Sequence, residues 1–173
     1  MSSIKETEFL FDVFSYDYGK LKLKAKKSKK EKNLDVWYII NFEVNVKKEN
    51  TIHDIKNIKI KSEFDYLWKN YEVILEYLEL LQVVDKKCPY HMPMYEIYNI
   101  FHAINDFENI SDEKLLFGHL KILHILWILP QEHKNIHIQK ILSFIGKESI
   151  KNILKLKWLD DEGKKELKMF LMK

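Results

Sequence analysis

The chain has 173 residues, with 29 Lys+Arg against 26 Asp+Glu and a formal net charge of +3; hydrophobic residues make up 46% and aromatics 13%. That is a globular composition, and it excludes low-complexity disorder and collagen-like repeats. A single cysteine, Cys88, excludes a disulfide framework and an all-cysteine zinc ribbon. The longest apolar run, Ile122 to Leu129, is broken by His124 and is too short to span a bilayer. Met1 to Glu8 has no apolar core of signal-peptide length, so a soluble, cytoplasmic protein is expected. Every basic residue is lysine, and the chain has no arginine. Abundant Ile, Lys, Asn and Tyr beside scarce Ala, Gly and Pro is the profile of AT-rich coding DNA. The chemical consequence holds regardless: anion recognition cannot use the bidentate guanidinium contacts that clamp phosphates or read guanine edges.

Residues 8–62 read as strands. Phe9, Phe11 and Val13 alternate with Leu10, Asp12 and Phe14, and a turn follows at Tyr16-Asp17-Tyr18-Gly19. Lys20 to Lys26 then keeps a strict period of two, lysines on one face and Leu21, Leu23 and Ala25 on the other. Val36 to Val46 is a third strand whose even positions form a core face. Lys47 to Asn50 is a turn, and Thr51 to Lys61 a fourth strand, with a phase slip between Ile52 and Ile55 that predicts a bulge. Short antiparallel strands with lysine-rich outer faces point to a small barrel or curled sheet.

From Glu63 onward the period becomes helical. Phe64, Leu67, Trp68, Tyr71, Leu75, Leu78 and Leu81 predict one amphipathic helix to about Val84. Cys88 to Pro93 is a connector, and a helix is expected from Met94 to Asp106. Ser111 caps another from Asp112 to Leu129, apolar almost all round through Trp127 and therefore central to the helical core. Two or three shorter helices follow, the first ending near Gly146, and Asp160-Asp161-Glu162 reads as a helix N-terminus. The expected class is α+β, with residues 1–63 as the sheet domain and 64–173 as the helical domain.

Charge is distributed unevenly along this order. Residues 1–64 hold 14 lysines against 10 acids, residues 65–132 hold 5 against 11, and residues 133–173 hold 10 against 5. Eight lysines fall within a thirteen-residue stretch: Lys20, Lys22, Lys24, Lys26, Lys27, Lys29, Lys30 and Lys32, with Glu31 the one acid among them. Lysines stacked along a strand repel, a cost that a polyanion relieves. Tyr16, Tyr18 and Trp37 lie beside the cluster in sequence and offer rings on which bases stack. The bland alternative is a solvated outer face with ordinary half-buried sheet aromatics.

At these residues the chain resembles a known family. Phe9-Leu10-Phe11-Asp12-Val13-Phe14-Ser15-Tyr16-Asp17-Tyr18-Gly19-Lys20, followed by Ala25-Lys26-Lys27-Ser28-Lys29-Lys30-Glu31-Lys32, is similar to the RecO family of DNA repair and recombination mediators. The likeness continues through the strand from Asp35 to Val46, the passage from Ile58 to Phe64, and the helix from Leu115 to Pro130-Gln131. It implies an N-terminal OB domain, an all-α domain, and a non-enzymatic function. That function is binding single- and double-stranded DNA, annealing strands, and helping load recombinase on SSB-coated DNA. RecR and the SSB C-terminal tail are the implied partners, and the nucleoid the implied place of work. The family pattern carries over to Gly19, Lys20, Lys26, Lys29, Lys30 and Lys32; Lys22, Lys24, Lys27, Tyr18 and Trp37 are added from the strand and loop. Three departures stand out. Only Met1 to Glu8 is available for the family's first strand, leaving the barrel open or its start misassigned; lysine replaces arginine in the basic loop; and the zinc-binding cysteines of many relatives are missing.

Catalysis and metal binding find little support. There is no nucleophile elbow, no phosphate-binding glycine loop and no pair of catalytic carboxylates, so no enzyme and no cofactor are expected. His133 and His137, with Cys88-x-x-His91, have spacings acceptable for zinc but require distant segments to meet, and read as surface or helix-end residues. Beside the mediator stand two other readings: a protein–protein adaptor with a degenerate sheet, and an OB-type RNA-binding protein.

Overall fold

The computed structural model describes residues 8–26, 34–36, 38–47, 49–63, 70–106, 110–130, 132–156 and 159–171. The chain is α+β and divides into two compact units: Met1–Asp65 with Cys88–Met94, and Tyr66–Lys87 with Tyr95–Lys173.

Among the described residues, the first unit holds a four-stranded sheet of β1 (Glu8–Ser15), β2 (Gly19–Lys26), β3 (Ile39–Val44) and β4 (His53–Ser62), in the order β1-β2-β4-β3. β1 and β2 form a hairpin in continuous register from Glu8↔Lys26 to Ser15↔Gly19. Its loop, Tyr16-Asp17-Tyr18, closes on Gly19 at φ +65°, the left-handed residue that three-residue hairpins require. Ser15 Oγ accepts from Tyr18 N and donates to Gly19 O, tying both sides of the turn. The expectation of an all-antiparallel sheet is corrected at one pairing: β2 and β4 run parallel, at Leu23↔His53 and Lys24↔Asp54. A parallel neighbour needs a long crossover, and here β3 lies within it. The bulge also moves. Register shifts fall between Ile39 and Ile40 and between Asn41 and Glu43, the second opposite Asn57 at φ +54°, rather than between Ile52 and Ile55. Asparagine tolerates the left-handed region, and its amide donates to Glu43 Oε2 at 2.8 Å across the bulge. The alternation read from the sequence puts Leu21, Leu23, Ala25 and Ile55 in the core, with Phe9, Phe11, Val13, Phe42 and Val44 packed against them.

The second unit contains α1 (Tyr71–Lys87), α2 (Tyr95–Asn105), α3 (Asp112–Ile125), α4 (Ile136–Lys147), α5 (Ile150–Ile153) and α6 (Asp161–Leu171). α1 begins later than the periodicity suggests. The Asn70 carboxamide accepts from Glu72 N and Val73 N, capping the helix at Tyr71; Phe64, Leu67 and Trp68 lie outside the described residues. Ser111 caps α3 by accepting from Lys114 N, as the sequence indicates, and α6 starts at the expected acidic stretch, where Asp160 accepts from Gly163 N. α3 is central: Leu115, Leu116, Phe117, Leu120, Ile122 and Leu123 are all buried. Gly118 lets α2 approach, since a Cβ there would lie 2.8 Å from Ile104 Cδ1.

α3 also ends earlier than expected, at Ile125, and Trp127 is not in the core. Ile128 N reaches back to Leu123 O at 2.9 Å while Trp127 sits at φ +58°, a left-handed helix end that turns the indole out to 88% exposure. Among the described residues no helix is long and apolar enough to cross a membrane.

Candidate nucleic-acid interface

Alternation along β2 puts Lys20, Lys22, Lys24 and Lys26 on the face opposite Leu21, Leu23 and Ala25. These four do not share one environment. Lys20 is only 7% exposed: the Tyr90 ring covers it, with Nζ 4.4 Å from the ring centroid. Lys22 Nζ lies 5.8 Å from the same ring, on a partly exposed side chain. Lys24 Nζ is 3.2 Å from Asp54 Oδ1 and 4.0 Å from Glu8 Oε1. Lys26, at the end of the strand, is exposed.

The register supplies carboxylates to this face. Asp12 stands opposite Lys22 and Glu8 opposite Lys26, cross-strand positions at which opposite charges stabilise a sheet. With Asp54 at Lys24, three acids offset the four strand lysines, and the repulsion argument for a polyanion weakens on the strand itself. The surplus positive charge belongs to the residues that follow in sequence. Lys27, Lys29, Lys30 and Lys32 lie outside the described residues, as does Trp37. Tyr18 is exposed in the hairpin turn beside Tyr16.

One aromatic on this face was not singled out in the sequence. Tyr90 belongs to Cys88–Met94, the stretch read as a connector, which the structure assigns to the sheet unit. Tyr90 bridges Lys20 in parallel, His91 N donates to Lys20 O at 3.0 Å, and Tyr90 Oη donates to Asp12 Oδ1 at 3.0 Å. The segment therefore takes up β2 backbone at Lys20, three residues before Leu23, where β4 pairs. Gly19 makes this possible: a Cβ there would lie 1.9 Å from Met92 O. The Gly19-Lys20 pair thus has a structural duty, as the seat of this segment. The cue in the sequence was a tyrosine between two prolines, but nothing local says which strand such a segment meets.

Cys88 is buried, and burial pushes its thiol up to about 11 against the opposing Lys20 charge. That makes it a poor nucleophile. His53 is 1% exposed, its ring edge-on to His91 at 5.1 Å, and burial followed by the nearby His91 lowers its pKa. In the helical unit, His133 Nδ1 accepts from Asn135 N, and His137 N donates to the Asn135 carboxamide that caps α4. The His133 ring and the His137 backbone thus lie at the start of α4, a helix-end position. Comparison with protein-family models and with curated proteins finds no match for this chain.

Proposed function

We propose that the chain is a non-enzymatic nucleic-acid-binding protein of RecO-like type, which holds single strands through the outer face of the β1–β2 hairpin and the lysine-rich stretch after it. The observation that carries this reading is the joining of Lys22, Lys26 and Tyr90 on one sheet face that leads directly into Lys27, Lys29, Lys30 and Lys32. Point charges would take phosphates, and Tyr90 with Tyr18 would offer rings for bases. Strand order lends support. A five-stranded OB barrel deprived of its first strand keeps four strands in an antiparallel, parallel, antiparallel sequence, the order seen in β1-β2-β4-β3. On this reading the activity is annealing and recombinase loading, with DNA, a RecR-like protein and the SSB tail as partners.

The test is a fluorescence anisotropy titration of single-stranded DNA against salt. If Lys22, Lys26, Lys27, Lys29, Lys30 and Lys32 each neutralise one phosphate, log K against log salt slopes by about −4. Changing Lys26, Lys29 and Lys30 to Glu removes at least half of that slope. A flat response, or binding unaffected by the three changes, sinks the proposal. Equal competition by RNA would move the reading to an RNA-binding protein.

A second reading is favoured by Trp127, with Ile128 and Ile136 also exposed in the helical unit. Outward apolar residues of this size mark protein contacts, which suits an adaptor. Partner binding would then survive the three lysine changes and fail on Trp127→Ser.

A further inference from the structure

α1 carries Glu76 and Glu79 one turn apart, and α3 brings His119 to them. One carboxylate oxygen from each glutamate and one imidazole nitrogen all lie within 4.8 Å of one another. Two of the three residues are deeply buried, Glu76 at 5% and His119 at 3% exposure. Lys168 of α6 holds Glu76 Oε1, but Glu76 Oε2 and His119 Nδ1 are enclosed without a hydrogen-bond partner. Buried polar atoms are normally satisfied, and an exception calls for a physical reason. A carboxylate oxygen only accepts, and a neutral imidazole always keeps one nitrogen as an acceptor. A small cation satisfies both kinds of atom together.

We propose that Glu76, Glu79 and His119 form a binding site for a divalent transition-metal ion of the zinc type, which ties α1 to α3. Mixed imidazole and carboxylate donors suit zinc and its neighbours, whereas calcium and magnesium take oxygen alone. Burial pushes His119 down to about 4, so its ring is neutral and keeps a lone pair at neutral pH. Burial also pushes Glu76 up, opposed by Lys168; a bound cation would favour the ionised carboxylate. Bonds of about 2.0–2.1 Å place tetrahedral ligands roughly 3.3 Å apart, so the site must draw in slightly. Glu79 is exposed and unbranched, and it can swing to close the site while giving the ion a way in from solvent. Water completes the coordination.

The experiment uses the full chain passed over a chelating resin and titrated with Co2+, read by visible absorption, then displaced with Zn2+. One saturable equivalent is expected. Glu79→Gln should weaken it at least tenfold, by analogy with the roughly 10–100-fold effect of disturbing even outer-shell partners, with an unchanged circular dichroism spectrum because Glu79 is on the surface. His119→Gln should abolish it. No saturable equivalent, or an affinity that Glu79→Gln leaves unmoved, overturns the proposal, the latter by placing the ion at other side chains such as His133 and His137. If His119→Gln fails to fold, the Glu79 variant still decides.

Discussion

Gly19 combines two demands that no other residue meets: a left-handed φ of +65° and a carbonyl, Met92 O, 1.9 Å from where a Cβ would stand. Gly19→Ala must adopt an unfavourable backbone conformation, costing about 1–2 kcal/mol, and must also displace the 88–94 segment. A loss of at least about 2 kcal/mol is expected in urea unfolding of the sheet unit. An alanine variant as stable as the parent would show that the segment does not pack on the turn. His53 makes a pH-dependent prediction. Both ring nitrogens are buried without a hydrogen-bond partner, and its pKa is lowered from 6.5 by burial first and by His91 second. A base whose folded pKa is depressed binds its proton more readily when unfolded. Its stabilising contribution is therefore complete above pH 6.5 and is lost as the pH falls below that value towards the folded pKa. The sheet unit should become easier to unfold with urea in that window, and His53→Leu should flatten the dependence; a parent chain whose stability is level from pH 7 to 5 would refute it.

At the scale of the element, the helix ends are the most instructive. α1 and α3 both depart from their apolar periodicity, α1 starting at the Asn70 cap and α3 ending on a left-handed Trp127. Periodicity reports which side chains favour burial; it does not report where backbone hydrogen bonding stops. A tryptophan at φ +58° pays a conformational cost without recovering it by burial, although its ring stacks on His124 at 6.4 Å. Glycine suits this position. Trp127→Gly should raise the stability of the helical unit by roughly 0.5–1 kcal/mol, measured by chemical denaturation. A marked loss would mean that the indole is held by packing. Within α3 the apolar core positions were legible, because a helix apolar almost all round is enclosed on most sides. The sheet alternation was legible for the same reason: Leu21, Leu23 and Ala25 have one face to bury, and a shift by one residue would expose all three.

At the scale of the whole molecule, the chain leaves the sheet unit after Asp65 and re-enters it for Cys88–Met94. The sheet unit is therefore not a continuous stretch of sequence, and a boundary near residue 63 does not isolate it. A fragment of residues 1–65 lacks Tyr90 over Lys20 and Met92 against Gly19. It should unfold at lower urea, and with less cooperativity, than the same residues in the full chain, as followed by amide NMR. Addition of a peptide covering 88–94 should recover part of the loss; a fragment already as stable as the unit in the full chain would contradict this.

The sequence by itself determined the α+β class, the lysine and core faces of β2, the capping role of Ser111, the helix start at Asp160-Asp161-Glu162, and the centrality of α3. Each follows from periodicity or from hydrogen bonding within a few residues. Tertiary structure alone decided that β2 pairs with β4 in parallel, that Tyr90 and three carboxylates lie on the lysine face, and that Glu76, Glu79 and His119 meet. Those contacts join residues far apart in the chain, and their energy depends on which surfaces come together after local preferences are satisfied. The net charge of +3 illustrates the difference: counting fixes its size, whereas the fold decides which lysines are already neutralised.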